Sequence, residues 1–186
     1  MMTDTHPPPP AAVPHGPRDP ITLRSFRAAD AAAVIAHVLA IQRQEFGMAI
    51  SASDQPDLLD VAAHYQRGAG GFWLALAGDQ LLGTLGLLDI GGGHGVLRKM
   101  FVAADARGHR GVAAALLAAA LRHGRAAGLH TLLLGTTEAF VAAHRFYEKH
   151  GFERIEPDTL PAAFPRMTVD TRFYRRAVGL AEAVPC

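Results

Sequence analysis

The stretch LRKMFVAADARGHRGVAAALLAAAL, Leu97 to Leu121, contains a strand, a turn and a helix in that order. Val96 to Val102 reads as a strand, and a loop rich in Arg, His and Gly follows it. Val112, Leu116, Leu117 and Leu121 then recur on roughly one stripe of a strongly apolar helix. A strand that turns straight into a helix start makes an anion site. The first helical amides have no intrahelical acceptor, and the helix dipole places partial positive charge there. Arg107 and Arg110 add full charges, while Gly108 and Gly111 let a bulky phosphate approach the backbone. The segment has no Gly-Lys-Ser/Thr and no GxGxxG, so it is neither a Walker loop nor a dinucleotide fingerprint. Taken alone it fits any phosphate-bearing ligand, or an ordinary strand-to-helix turn.

Outward from this segment, the order of elements predicts a layered fold. Ile21 to Arg24 reads as a short strand, Ala28 to Phe46 as an alanine-rich helix stopped by Gly47, and Asp54 to Tyr65 as a second short helix. Phe72–Leu76 and Gln80–Ile90 are strands joined by the turn signal Gly78-Asp79, and Gly91-Gly92-Gly93 leads into the strand before the anion loop. After the helix from Gly111 to Ala127 come a strand (Leu132–Gly135), a helix (Glu138–His150), a strand (Phe152–Ile155) and a last strand (Met167–Phe173). An antiparallel meander followed by β-α-β-α-β is an α+β or α/β layered domain with a central mixed sheet.

Composition narrows the function classes. Of 186 residues, 49% are hydrophobic and 19% charged, which suits one packed domain with a real core. A formal net charge of +1 gives no bulk attraction to nucleic acid or an anionic membrane. Seven of the twelve prolines lie in the first twenty residues, so residues 1–19 are expected to form a disordered leader. The domain is expected over 20–176, with a tail over 177–186. The single cysteine, Cys186, excludes an intrachain disulfide and fits a reducing compartment; with no secretory signal and no apolar run of membrane length, the expectation is cytoplasmic. Ten histidines show no ligand spacing, His144 and His150 being six apart, so no metal is expected.

Two motifs then stand in order: Arg107-Gly108-His109-Arg110-Gly111-Val112-Ala113, and Ala143-His144-Arg145-Phe146-Tyr147-Glu148-Lys149-His150-Gly151-Phe152. Over about residues 21 to 176 the chain resembles the GNAT superfamily of N-acetyltransferases. There a Q/R-x-x-G-x-G/A loop between strand and helix binds the pyrophosphate of acetyl-coenzyme A, and an A-x-x-F/L-Y-x-x-x-G-F segment follows the next strand. The resemblance implies a central mixed, largely antiparallel sheet flanked by helices, and acetyl-coenzyme A as acyl donor. It further implies a small-molecule or protein amine as acceptor and, since the family often dimerises, a homodimer through the strands Ile21–Arg24 and Met167–Phe173. Anchoring the loop on Gly111 and Ala113 leaves Gly108 where the family has Gln or Arg, whereas anchoring it on Arg107 lengthens the loop by one residue. In either register the backbone amides of Arg110 to Ala113 are the expected phosphate ligands, with His109 beside them.

The resemblance also assigns roles. Tyr147 is the implied general acid for the departing thiolate, against the plainer reading of a tyrosine packed beside Phe146. A backbone N–H of Met100, Phe101 or Val102, on a strand whose family counterpart bulges, is the implied oxyanion donor. Phe140 stands where many members carry a cofactor-contacting Asn, which passes that contact to Thr136 or Thr137. No base is identified: Glu45 and Asp89 are candidates that also read as solvated residues, and Glu138 reads as a first-turn helix residue. That gap motivates the alternative of a GNAT-shaped sensor that binds an acyl-coenzyme A without efficient catalysis. A third reading, a different phosphate-ligand enzyme on the same helix start, is opposed by the Tyr147 motif. The acceptor's identity is not legible.

Overall fold

The computed structural model describes residues 19–108 and 110–179. The leader, up to residue 18, His109, and the tail from 180 with Cys186 lie outside the described residues. The elements are β1 (Ile21–Ser25), α1 (Ala31–Gln44), α2 (Pro56–Leu59), α3 (Val61–Tyr65), β2 (Gly71–Ala77) and β3 (Gln80–Asp89). Then come β4 (His94–Val102), α4 (Val112–Ala126), β5 (Thr131–Thr136), α5 (Val141–Lys149), β6 (Glu153–Ile155) and β7 (Arg172–Ala177). They form one seven-stranded sheet in the order β1-β2-β3-β4-β5-β7-β6. Only the β4–β5 pairing is parallel; the other five are antiparallel. Among the described residues no helix is long and apolar enough to cross a membrane.

Strand alternation divides the core between the two faces of this sheet. On β2, Trp73, Ala75 and Ala77 pack with Leu116 and Leu117 of α4. The alternate residues Phe72 and Leu74 pack with Val34 and Val38 of α1 and with Leu58, Val61 and Tyr65 of α2 and α3. Leu74, Leu85 and Leu116 are almost wholly excluded from water, each a contribution of about 1.5–3 kcal/mol of transfer free energy. Helices therefore cover both faces, which is the layered α/β arrangement the element order predicts.

Several boundaries differ from the sequence reading; α1, expected over Ala28–Phe46, runs over Ala31–Gln44 after a short turn at Ala28–Asp30. The helix expected from Asp54 breaks into α2 and α3, because Asp60 leaves helical geometry and its carboxylate caps the Ala63 amide at 2.9 Å. The helix expected from Glu138 starts at Val141: Thr137 to Phe140 close a turn, and exposed Glu138 lies before the helix with its carboxylate 3.6 Å from Arg172. The last strand is Arg172–Ala177, not Met167–Phe173, because Met167 to Asp170 form a turn closed by the Asp170 amide and carboxylate. Beyond Ala177, Val178 is still buried and donates its amide to the His130 carbonyl, so the packed unit runs past 176. Finally, β7 lies between β5 and β6, so it is no free edge. Of the two strands on which a homodimer was expected to form, only β1 is at the sheet's end.

Candidate active site

The parallel pairing of β4 with β5 covers only His94–Val96 against Thr131–Leu133. Past those residues β5 turns to β7 alone, while β4 runs on to Val102. The strands thus splay, and the β5-facing backbone of the second half of β4 is left without a strand partner, in a sheet where such groups are otherwise paired. A cavity of about 420 Å³ opens there. Met100, Phe101 and Val102 line it from β4, Ile41 from α1, Ala113 from α4, and Phe146 and Tyr147 from α5. A second, more polar lobe of about 740 Å³ adjoins it and shares Phe46, Met100, Phe101, Phe140 and Tyr147 with the first. Both volumes lie in the range of small-molecule sites. The Phe46 and Phe140 rings meet between the two lobes, centroids 4.3 Å apart.

A β-bulge shapes the junction. Gly86 pairs with Arg98 but Thr84 with Phe101, so β4 carries one extra residue, and Lys99 takes a φ of 53°. That conformation costs a non-glycine residue about 1–2 kcal/mol, and the surroundings hold it in place. The buried Thr84 hydroxyl donates to the Lys99 carbonyl at 2.7 Å. Lys99 Nζ lies 3.1 Å from Asp57 and donates to Gln55 at 2.6 Å; Gln55 in turn donates to Gln42 at 2.7 Å. Burial pulls the Lys99 ammonium below its usual range, against the opposing pull of Asp57. A bulge also breaks side-chain alternation, so the consecutive cations Arg98 and Lys99 both line the second lobe. Two consecutive charges in an otherwise apolar strand were the sequence signal of this bulge, and neither they nor Gln42, Gln55 and Asp57 were singled out from the sequence.

At the far end of the first lobe, Gly111 caps α4 with φ 65° and Gly108 precedes it with φ 70°. Space above both is open: a Cβ at either would meet nothing within 4 Å. Helix geometry leaves the amides of Val112 to Ala114 without intrahelical acceptors, the first such bond running from Ala115 to Gly111 at 2.9 Å. The Val112 side chain itself is buried in the core, so of this residue only the backbone belongs to the loop surface. Arg107 and Gly108 line the lobe. The Arg110 guanidinium bonds the Asp19 carbonyl at 3.3 Å.

Tyr147 is buried among Phe146, Phe152 and Tyr174, and its hydroxyl donates only to the weak acceptor Met100 Sδ, at 3.5 Å. Burial pushes this hydroxyl well above its ordinary pKa. It therefore stays protonated, a donor with no strong acceptor, at the place where the lobes meet. His37 Nε2 lies 3.4 Å from the Phe101 carbonyl, and burial keeps its imidazole below the ordinary pKa, neutral at pH 7.

The remaining candidates are scattered. Thr136 and Thr137 line the second lobe rather than the first. Glu45 lines neither: it sits at the end of α1 with its carboxylate 2.5 Å from the Arg107 guanidinium, which also donates to the Val102 carbonyl. Asp89 is exposed at the end of β3 and accepts the Ala69 and Gly91 amides, both at 2.9 Å, so it organises a turn remote from the cleft. Asp170, in the turn the sequence reading took for a strand, lines the second lobe instead. Among the described residues there is no cluster of three potential metal ligands.

A family model described as acetyltransferase (GNAT) family matches residues 35–152, more than half of the chain. In structure the chain is similar to an acetyltransferase of the GNAT family from Staphylococcus aureus Mu50, with a TM-score of 0.81 and 31% identity, covering 86% of this chain and 99% of that one. In sequence it is 34% identical over 124 residues to N-acetylaspartate synthetase from Danio rerio, covering 64% of this chain and 43% of that protein. The same enzyme from Xenopus tropicalis is 28% identical over 135 residues, covering 68% and 49%. The chain spans less than half the length of these two curated relatives.

Proposed function

This chain belongs to the GNAT acetyltransferase family, and on that premise we propose that it transfers an acetyl group from acetyl-coenzyme A to a primary amine by direct attack on the thioester. The observation that carries this reading is the two-lobed cleft: an apolar lobe ending in a helix N-terminus, and a polar lobe, meeting at the Tyr147 hydroxyl and the β4 bulge. The first lobe fits coenzyme A on its own features. Glycines with open space stand over the unpaired amides of α4 for a pyrophosphate, and the free edge of β4 offers backbone groups to a pantetheine amide. When bound, the donor supplies an activated thioester carbonyl.

The chain's own residues account for the rest. A backbone N–H of Met100 to Val102, held by the bulge, points a dipole at the carbonyl oxygen as charge develops there. The neutral amine nitrogen, reaching through the polar lobe, bonds to the carbonyl carbon and releases a proton to solvent water; the carbon–sulfur bond breaks, and sulfur departs as thiolate. Tyr147 donates a hydrogen bond to that sulfur. Outright transfer of its proton would leave a buried tyrosinate, so stabilising the thiolate is its larger role. The names of the two curated relatives favour a free amino acid as the acceptor.

Thiol release with acetyl-coenzyme A and a panel of amines tests this. We expect release that depends on both the amine and the protein. Tight binding of acetyl-coenzyme A with no amine-dependent release would replace transfer by a sensor role.

A further inference from the structure

The polar lobe carries two opposite charges that are not joined to each other. Arg98, half-buried on β4, has no carboxylate within ion-pair distance among the described residues, and its guanidinium reaches Met167 Sδ. Its neighbour Lys99, turned into the same lobe by the bulge, is already neutralised by Asp57. Asp170 is half-buried in the lobe, held by the Met167 amide at 3.1 Å. It lies so close to Gly135 of β5 that a Cβ there would collide with the carboxylate; a residue without a side chain makes room for it. Burial raises the Asp170 carboxyl, against the opposing pull of the Met167 amide and of Arg98 and Arg166. Arg98 and Asp170 line the same lobe, and no salt bridge joins them among the described residues. The other polar groups that could compete are committed locally: Asp54 accepts the Ser51 amide and hydroxyl, and His64 Nδ1 bonds the Asp60 carbonyl.

A guanidinium left without its carboxylate and a carboxylate left without its cation, both partly desolvated in one cleft, are poised for a ligand carrying both complementary charges. Resting on the acetyl-transfer reading above, we infer that Arg98 and Asp170 form a clamp for a zwitterionic acceptor: Arg98 takes the carboxylate of a free amino acid and Asp170 its ammonium group. An amine without a carboxylate leaves the Arg98 fork unfilled, so the clamp selects free amino acids over simple amines and over peptide-like amides. The ammonium held at Asp170 stands in the lobe that Tyr147 and Met100 also line; it gives one proton to solvent water before attack, and the freed lone pair forms the new bond.

Matched acceptors separate this inference from the reading beneath it. Thiol release is measured with L-aspartate and its α-carboxamide, and with L-leucine and L-leucinamide, for the parent, Arg98→Gln, Arg98→Lys and Asp170→Asn, each checked for an unchanged melting temperature. The parent is expected to prefer each acid over its amide by at least about tenfold in kcat/KM. Arg98→Gln should cancel the preference through KM, with acetyl-coenzyme A affinity held within about threefold, and Arg98→Lys should keep part of it. Asp170→Asn should raise KM for acid and amide alike. Equal use of acid and amide by the parent, or a preference that survives Arg98→Gln, overturns the clamp and leaves acetyl transfer standing. Should no amine be acetylated, the transfer reading fails on its own. Calorimetry of L-aspartate and L-leucine with the coenzyme A-bound protein then decides the clamp: binding lost in Arg98→Gln upholds it, and no binding to the parent overturns it.

Discussion

Replacing Tyr147 by Phe removes one oxygen and keeps a ring that packs against Phe146 and Phe152, each with centroids 5.6 Å away. In the resting protein the hydroxyl's partner is a thioether, a weak acceptor. The fold should therefore lose no more than about 1 kcal/mol. The transition state loses more, because there the partner is a sulfur gaining negative charge, and a hydrogen bond to a charged group is worth about 1.5–3 kcal/mol. That converts to roughly a 10- to 150-fold fall in turnover. The burial that raises the hydroxyl's pKa makes proton transfer costly, which favours about 10- to 100-fold. Acetyl-coenzyme A affinity should stay within about threefold, since the ground-state thioester gains little from the hydroxyl. Thiol-release kinetics and calorimetry on the same preparation provide both numbers. Parent-level turnover in a folded Phe variant would refute the assignment and leave Tyr147 a packing residue; a joint collapse of turnover and affinity would make its hydroxyl a structural anchor.

Gly111→Val should weaken acetyl-coenzyme A binding at least about tenfold, or 1.4 kcal/mol. It should also cost about 1–2 kcal/mol of stability, because φ is 65° there; Gly111→Asn tolerates that φ better, and its titration isolates the steric effect on the phosphate. Glu45→Gln removes an exposed ion pair with Arg107, so melting should report a change of no more than about 1 kcal/mol, and turnover and its pH profile should stay within about threefold of the parent. Asp30 accepts two bonds from Arg24, at 2.6 and 2.7 Å, which hold its carboxyl below the ordinary pKa. A pKa lower in the folded state stabilises fully above the ordinary carboxyl range and is lost as pH falls through the folded value. Urea unfolding of Asp30→Asn should show a deficit of about 1–2 kcal/mol near neutral pH that closes below about pH 4.

The elements with strong periodicity were legible in the sequence. The apolar stripe Val112-Leu116-Leu117 makes α4, and the Gly-punctuated runs make β2 and β3, because burial and turn chemistry act locally there. What local pattern misreads is decided across the sheet. Met167 to Asp170 carry apolar residues like a strand, yet β7 begins at Arg172, where β5 and β6 offer partners on both sides. Part of the first lobe's lining was legible because Met100 to Ala113 are contiguous in sequence, whereas Ile41 and Phe46 reach it from a distant stretch. The second lobe was not: Gln42, Gln55 with Asp57, Lys99 and Asp170 come from four separate stretches, and no spacing rule joins them. Glu45 was a carboxylate candidate in sequence terms, but in the fold it pairs with Arg107 and lines neither lobe.

The central claim, transfer from thioester to amine without a covalent protein intermediate, is tested most directly with acetyl-coenzyme A labelled with carbon-13 at the carbonyl. The label is followed by NMR with an amine acceptor present or withheld, alongside the protein's intact mass. The account predicts that the label moves from thioester to amide only when protein and amine are both present. One thiol should appear for each amide formed, and the protein's mass should not change without acceptor. Label arriving in free acetate at the same rate with or without amine, or remaining in the thioester for every acceptor tried, would contradict it.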